Sequence, residues 1–115
     1  MARNQDVHTK NISFLMDRRG RWRLAPAYDV IYSDNPSGAG TSRHQMSLGG
    51  KRDGFTVENL LETAPAANVK TREAKEILAE VRGAVAEWER FAEEGGVAPG
   101  QAVAIKETHC FIAAR

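Results

Sequence analysis

The sequence lacks several features that mark common classes of protein. It contains a single cysteine, Cys110, which excludes an internal disulfide and is typical of a reducing cytoplasm. No apolar run approaches the ~20 residues that a membrane-spanning helix needs. The sequence also lacks a basic start followed by an apolar stretch, which is the pattern of a secretion signal. We therefore expect a cytoplasmic protein without a membrane partner.

The two halves of the chain differ in charge. The composition, 42% apolar and 27% charged, is that of one small globular unit of 115 residues, and the net charge is +1. Residues 1–52 carry nine lysines or arginines against four acids, whereas residues 53–115 carry seven against eleven. A basic half attracts a nucleotide or an acidic partner. Arginines 18, 19, 21 and 23 are also compatible with a nucleic-acid patch, but no array of stacking aromatic residues accompanies them, so we expect no direct nucleic-acid binding.

An aspartate and an asparagine, Asp6 and Asn11, lie five positions apart near the start of the chain. In protein kinases a catalytic Asp accepts the proton of the attacking hydroxyl, and an Asn five positions later binds magnesium. A second Asp, further along the chain, holds magnesium against the ATP phosphates. Taken singly, such residues most often stabilise turns through their own backbone. Their spacing, however, indicates a phosphoryl-transfer site.

The segment after Asn11 alternates apolar and polar residues over 12–16 and 21–24, with turn residues at 17–20, and so predicts a β-hairpin. A hairpin brings its two ends to within about the interstrand distance of ~4.8 Å. Asn11 and Asp29 should therefore lie side by side, close enough to share a hard cation such as Mg²⁺. Pro26 stops the return strand from pairing further.

Two linked segments, NQDVHTKN at 4–11 and LAPAYDV at 24–30, resemble the C-terminal domain of the HipA family of bacterial serine/threonine kinase toxins. The resemblance continues through residues 44–52 and the helical tail. It implies that Asp6 is the catalytic base and that Asn11 and Asp29 are the magnesium ligands. Val7 stands where many relatives carry a second Asp.

Three further residues occupy motif positions in the same resemblance. His8 and Lys10 are expected to support the site, His8 by orienting its loop through a hydrogen bond rather than by accepting the substrate proton. Tyr28 is expected to lie near the nucleotide, where it either packs under the site or touches the nucleotide. Packing is the favoured role.

The resemblance also implies cofactors and partners. They are Mg²⁺ with ATP, a protein substrate with a serine or threonine, and a small helix-turn-helix antitoxin of a type II toxin–antitoxin system. The phosphate-covering loop and its strand lysine should lie upstream, so we expect a separately encoded amino-terminal kinase half and little activity of the chain alone. Two alternatives stay open: a non-catalytic binding module for an antitoxin or regulator, and a vestigial structural fragment.

The Gly49-Gly50-Lys51 triplet is too short for a phosphate cradle and predicts a hairpin turn between strands at 44–48 and 51–55. Residues 33–42 are rich in helix- and strand-breaking residues and predict a loop, either a substrate-positioning segment or a plain connector.

From Thr56 onward the pattern becomes helical. A short helix capped by Thr56 should reach about residue 64, and a longer one should begin near Thr71 with a continuous apolar stripe through Phe91. Gly95-Gly96 should end it, and a last helix should span about 99–112, which would place Cys110 on a helix. His44, His109 and Cys110 lack metal-ligand spacing.

These patterns together predict an α+β, mainly α fold: a helical domain like the larger lobe of a kinase, with one or two β-hairpins at its amino-terminal end. Residues 1–115 should form one HipA-like C-terminal domain. Within it, 1–55 should contain the catalytic and metal-binding loop with the hairpins, and 56–115 a helical subdomain.

Overall fold

The structure, a computed structural model, describes residues 1–112. A two-stranded antiparallel hairpin lies in the amino-terminal part, and four α-helices follow it, which confirms the mainly α, α+β class. No helix among these residues is long and apolar enough to cross a membrane. The elements are β1 (Phe14–Met16), β2 (Trp22–Leu24), α1 (Val57–Thr63), α2 (Thr71–Ala86), α3 (Trp88–Glu94) and α4 (Pro99–Thr108), with short 3₁₀ turns at Thr9–Asn11 and Ala64–Ala67.

The first hairpin is confirmed, and its turn is held by one carboxylate. Asp17 accepts hydrogen bonds from the backbone N–H groups of Arg19, at 2.8 Å, and Arg21, at 3.0 Å. It also forms an ion pair with the Arg21 guanidinium at 2.8 Å. The backbone hydrogen bond from Arg21 is the main cause that lowers the pKa of Asp17. Gly20 supplies the positive φ of +76° that closes the turn.

The second hairpin exists only as a turn. Gly49 and Gly50 adopt φ values of +58° and +78°, and a single bridge joins Leu48 to Lys51. The prediction of strands at 44–48 and 51–55 is therefore wrong, while the turn between them is present. The pairing slips beyond this bridge, because the His44 N–H donates to the Arg52 carbonyl at 3.2 Å, whereas a continued ladder would pair residue 44 with residue 55.

The first helix begins as the sequence predicts. The Thr56 hydroxyl accepts from the Asn59 N–H at 3.3 Å, and the Asn59 side chain accepts in return from the Thr56 N–H at 3.3 Å. This reciprocal cap satisfies two backbone donors that would otherwise have no partner. The helix gives way at Ala64 to the 3₁₀ turn that contains Pro65.

The long helix predicted from Thr71 to beyond Phe91 is broken at Glu87, which corrects the prediction of a continuous stripe. Glu87 has φ −83° and ψ +13°, and its N–H bonds to the carbonyl of Ala84, three residues back. Beyond the break, the Trp88 indole donates to the Ala102 carbonyl of α4 at 2.9 Å. The apolar periodicity of a sequence shows which face of a helix is apolar, but it does not show where the backbone hydrogen bonds are interrupted. It therefore continues across this break.

The last helix ends at Thr108, four residues earlier than predicted. His109 is extended, with φ −59° and ψ 133°, so Cys110 lies beyond the helix and not on it. The Cys110 N–H donates to the Met1 carbonyl at 3.0 Å, and Arg3 Nε donates to the Thr108 carbonyl at 2.6 Å. These bonds to the amino-terminal segment replace helical ones and explain the early end.

Little of the apolar stripe is buried among the described residues. Ile77, Val81 and Phe91, which belong to this stripe, are 46%, 43% and 45% exposed. The only fully buried side chain in residues 1–112 is polar, that of Gln5. The buried apolar residues are Ala64, Ala74, Ala92 and Ile105.

Candidate functional site

The loop between Asp6 and the hairpin is a 3₁₀ turn with a reciprocal cap. The imidazole Nδ1 of His8 accepts from the Lys10 N–H at 3.2 Å. The Asn11 side-chain oxygen accepts from the His8 N–H at 2.9 Å, and the Asn11 N–H donates to the His8 carbonyl at 3.0 Å. Because Nδ1 acts as an acceptor, this geometry needs the neutral imidazole with its proton on Nε2. The His8 imidazole is thus part of the cap of this 3₁₀ turn.

Asn11 and Asp29 meet across the base of the hairpin. The Asn11 amide nitrogen donates to a carboxylate oxygen of Asp29 at 2.5 Å. Asp29 has a φ of +55°, in the left-handed region that residues other than glycine seldom adopt, and Asn4 donates to its backbone carbonyl at 3.3 Å. An unusual backbone conformation thus directs this carboxylate toward Asn11, at the place where the hairpin returns to the loop.

Tyr28 makes a second connection between the same two segments. Its hydroxyl donates to the Lys10 carbonyl at 2.5 Å, and its side chain is 44% exposed. The Lys10 side chain is exposed and forms no hydrogen bond or ion pair within residues 1–112. A cleft of about 190 Å³ lies alongside and is lined by Asn11, Ile12, Ser13, Leu24, Ala25, Pro26, Ala27 and Tyr28.

Asp6 is exposed, and its carboxylate has no hydrogen-bond or ion-pair partner in the described part of the chain. Its backbone N–H, by contrast, donates to the Ser33 hydroxyl at 3.0 Å. The structure thus places Asn11 and Asp29 in direct contact. The Asp6 side chain does not join this contact, and the Asp6 segment is connected to that of Asp29 by hydrogen bonds of the Ser33 and Asn4 side chains.

Two residues of this arrangement were missed by the sequence analysis. Ser33 also accepts from the Gln5 N–H at 2.8 Å. With its amide nitrogen turned toward the loop, Gln5 donates to the Asp34 carboxylate at 2.8 Å and the Thr41 carbonyl at 2.5 Å, while its oxygen accepts from Arg3 at 3.1 Å. A buried glutamine follows no apolar period, so only its place next to Asp6 could have singled it out.

The segment after Asp29 is a folded loop. Asn35 accepts a backbone hydrogen bond from Gly38 at 2.9 Å, and its side-chain oxygen accepts from the Ser37 N–H at 3.1 Å. The Asn35 N–H donates to the Thr41 carbonyl at 3.4 Å. The predicted loop at 33–42 is therefore built of turns that close over Gln5.

The donor set at Asn11 and Asp29 fits magnesium in its chemistry. Mg²⁺ prefers oxygen ligands and is usually held by one or two carboxylates together with substrate phosphates and water. Asp29 offers an exposed carboxylate, and the Asn11 side-chain oxygen has a second lone pair beyond the one that accepts from His8. No group of three or more His, Cys, Asp or Glu side chains suited to a metal occurs in residues 1–112. An ion here would therefore depend on the phosphates for further ligands.

Val7 lies at an apolar cavity of about 440 Å³. Its neighbours in the lining include Met46, Leu48 and Phe55, so an aliphatic side chain suits this position. The surroundings of Val7 are thus compatible with a valine at the position where many relatives carry an aspartate.

Comparison with known proteins gives one match. The model of the HipA-like C-terminal domain family matches residues 1–88, a span that contains Asp6, Asn11 and Asp29. No curated protein and no solved structure matches significantly. Because the matched region covers well over half of the 115 residues, the chain belongs to the HipA-like C-terminal domain family.

Proposed function

We propose that the chain is the C-terminal part of a HipA-like protein serine/threonine kinase, the toxin of a type II toxin–antitoxin system, which uses ATP and magnesium. The observation that carries the proposal is the 2.5 Å contact between Asn11 and Asp29. The hairpin brings together, at its base, the two residues whose family positions bind magnesium. Both lie inside the region that the family model matches.

Each residue has a defined role in this proposal. Asp29 and Asn11 hold the ion, which neutralises charge on the ATP phosphates when it is bound. Asp6 accepts the proton of the serine or threonine hydroxyl as the hydroxyl oxygen bonds to the γ-phosphorus and ADP leaves. Its exposed carboxylate has no competing partner in residues 1–112, which suits a base that must reach a protein substrate.

The supporting residues act on the loop itself. His8 and Lys10 contribute to the hydrogen bonds of the 3₁₀ turn, and Tyr28 ties that turn to the segment that bears Asp29. Phosphoryl transfer depends mainly on positioning and on charge stabilisation. Rigid placement of the two ligands is therefore the contribution that these residues make.

The Gly49–Gly50 turn does not supply a phosphate cradle within residues 1–112. Gly49 and Gly50 form a tight turn whose flanking N–H groups, of Leu48 and Lys51, bond to each other's carbonyls. The Lys51 ammonium is engaged by the Asn59 side chain at 2.7 Å. We therefore propose that phosphoryl transfer needs an amino-terminal kinase half, and that the chain alone is inactive or nearly so.

The test is an NMR titration of the chain with Mg²⁺ and ATP. We expect saturable shifts of the amides of Asn11 and Asp29 that are lost in Asp29→Asn. They should persist in Asp17→Asn, a matched change to a carboxylate in the hairpin turn. A folded spectrum without any shift at millimolar ATP would overturn the proposal.

A second candidate is a non-catalytic module that binds a helix-turn-helix antitoxin or another regulator. It is favoured by the exposed apolar face of the hairpin, where Phe14, Met16, Trp22 and Leu24 are 60%, 57%, 67% and 64% exposed. Exposed apolar patches on soluble proteins often mark interaction sites. An unchanged spectrum with Mg²⁺ and ATP would favour this candidate over the kinase part.

A further inference from the structure

The segment that bears Asp6 has no regular secondary structure, yet its backbone is bonded at consecutive residues to one serine. The Ser33 hydroxyl accepts from the N–H groups of Gln5 at 2.8 Å and Asp6 at 3.0 Å, and donates to the Asn4 side-chain oxygen at 3.2 Å. The Ser33 N–H donates to the Arg3 carbonyl at 3.0 Å. A single residue thus bonds to four successive residues and fixes the path of residues 3–6.

The Gln5 side chain fixes the same segment from the inside. It is fully buried, and the Asp34 carboxylate, the Thr41 carbonyl and Arg3 satisfy its amide. Neighbouring side chains of an extended chain point to opposite sides. Because Gln5 is held inward, the next side chain, Asp6, is directed outward to solvent, as its exposure shows.

Ser33 also lies on the segment that leaves Asp29. Only residues 30–32 separate the two, and Asn4, which accepts the Ser33 hydroxyl proton, donates through its amide nitrogen to the Asp29 carbonyl at 3.3 Å. No hydrogen bond within residues 1–112 joins the Asp6 side chain to Asn11 or Asp29. The bonds made by Ser33 and Asn4 therefore connect the Asp6 segment to the segment of Asp29.

We infer that Ser33 and Gln5 are positioning residues for Asp6: Ser33 sets where the Asp6 backbone lies relative to Asp29, and Gln5 sets the direction of its carboxylate. This inference rests on the proposed kinase function for the role of Asp6. It assigns a task to two residues that would neither bind the ion nor touch the transferred phosphate.

The first test is amide hydrogen exchange in the unmodified chain and in Ser33→Ala and Ser33→Thr. The Val7 N–H, which has no partner in residues 1–112, is the internal reference. Relative to intrinsic rates, we expect Gln5 and Asp6 to exchange roughly tenfold more slowly than Val7, as for amides held by one hydrogen bond. Ser33→Ala should abolish the difference, and Ser33→Thr, which keeps the hydroxyl, should restore it.

Equal protection of the three amides in the unmodified chain would overturn the inference even if Ser33→Ala does not fold. The second test is paramagnetic relaxation by Mn²⁺ with ATP, which reports the distance from the ion. In Ser33→Ala the paramagnetic relaxation of Asn11 and Asp29 should persist. The paramagnetic relaxation of the Asp6 carboxyl carbon should change. An unchanged Asp6 effect would overturn the positioning role alone, whereas no effect on any residue of the unmodified chain would remove the proposed function as well.

Discussion

The Tyr28 phenol donates a 2.5 Å hydrogen bond to the backbone carbonyl of Lys10. Tyr28 precedes Asp29 and Lys10 precedes Asn11, so this bond lies one residue away from each partner of the Asn11–Asp29 contact. The two neighbouring bonds together join the 3₁₀ turn at Thr9–Asn11 to the segment that follows the hairpin. Neither involves the hairpin strands themselves.

Removal of the Tyr28 hydroxyl should loosen this connection without unfolding the chain. Tyr28→Phe keeps the ring and loses one hydrogen bond, so we expect a loss of about 0.5–1.5 kcal/mol in the free energy of unfolding. Urea denaturation measures that loss. Hydrogen exchange should show faster exchange of the Asn11 N–H, which closes the 3₁₀ turn. Tyr32→Phe, at an exposed tyrosine outside the site, is the control.

Two substitutions of Asp29 should separate the effect of its left-handed backbone conformation from the effect of its charge. Asn tolerates the left-handed conformation, whereas alanine at φ +55° costs about 1–2 kcal/mol. We expect Asp29→Asn to stay close to the unmodified chain in stability and Asp29→Ala to be less stable, with magnesium binding lost in both. Thermal unfolding and the Mg²⁺ titration measure the two effects. Equal stability of the two variants would contradict the argument from φ.

Stability should fall as the pH falls through the range of histidine. Burial lowers the pKa of His109, and the Met1 amino group, Arg3 and Lys106 lower it further. Burial is also the main cause that lowers the pKa of His44. Because the unfolded chain then binds more protons than the folded one, the free energy of unfolding is highest above the unfolded pKa of about 6.5 and declines below it.

Urea denaturation between pH 7.5 and pH 5 measures this decline. His109→Gln should reduce its slope, and His44 together with the Met1 amino group, whose pKa burial also lowers, should account for a remainder of the same sign. This pH range lies above the pH at which protonation of the Asp17 carboxyl, whose pKa is lowered, begins to reduce the free energy of unfolding. A variant with the slope of the unmodified chain would show that His109 does not contribute.

The turn at Gly49-Gly50 should tolerate asparagine better than alanine. Gly50 has a φ of +78°, and a Cβ at this position would meet no atom within 4 Å, so the cost of a side chain is conformational. Gly50→Ala should destabilise the chain by about 1–2 kcal/mol, and Gly50→Asn by less. Gly49→Ala should cost more than Gly50→Ala, because its Cβ would lie 3.0 Å from the Thr63 methyl group. Thermal unfolding of the three variants gives the order.

The exposed hairpin face should contribute more to dye binding than to stability. Trp22 is 67% exposed, so Trp22→Ser removes little buried area. We expect lower fluorescence of an added hydrophobic dye such as ANS and a nearly unchanged urea midpoint. Phe14→Ser, on the same face, should behave alike. A large drop in the midpoint would show that this face is covered.

The sequence predicted the hairpin and the contact at its base because both follow from local rules. Alternation, the turn at Asp17 and Gly20, and Pro26 fix the strand ends, and the strand ends fix where Asn11 meets Asp29. The Thr56 cap and the helix end at Gly95 are local in the same way.

The features that the sequence did not predict depend on distant partners. The last helix stops early because Thr108 and Cys110 bond to Arg3 and Met1. The strands expected beside Gly49-Gly50 fail because His44 bonds to Arg52 and not to residue 55, a slip of register that the alternation of residues does not record. The break at Glu87 was missed because the apolar period runs through it unchanged. A fully buried Gln5 was missed because burial of an amide depends on its hydrogen-bond partners.

The burial of Gln5 bears on how this chain can change over evolutionary time. The residue that precedes the proposed base is also the most deeply buried one in residues 1–112. A lineage released from selection for catalysis can therefore discard Asp6 itself at little structural cost, because its side chain is exposed. Loss of Gln5 would cost more, because its side chain is buried and hydrogen-bonded. In descendants that have lost catalysis, we therefore expect Gln5 to be retained more often than Asp6.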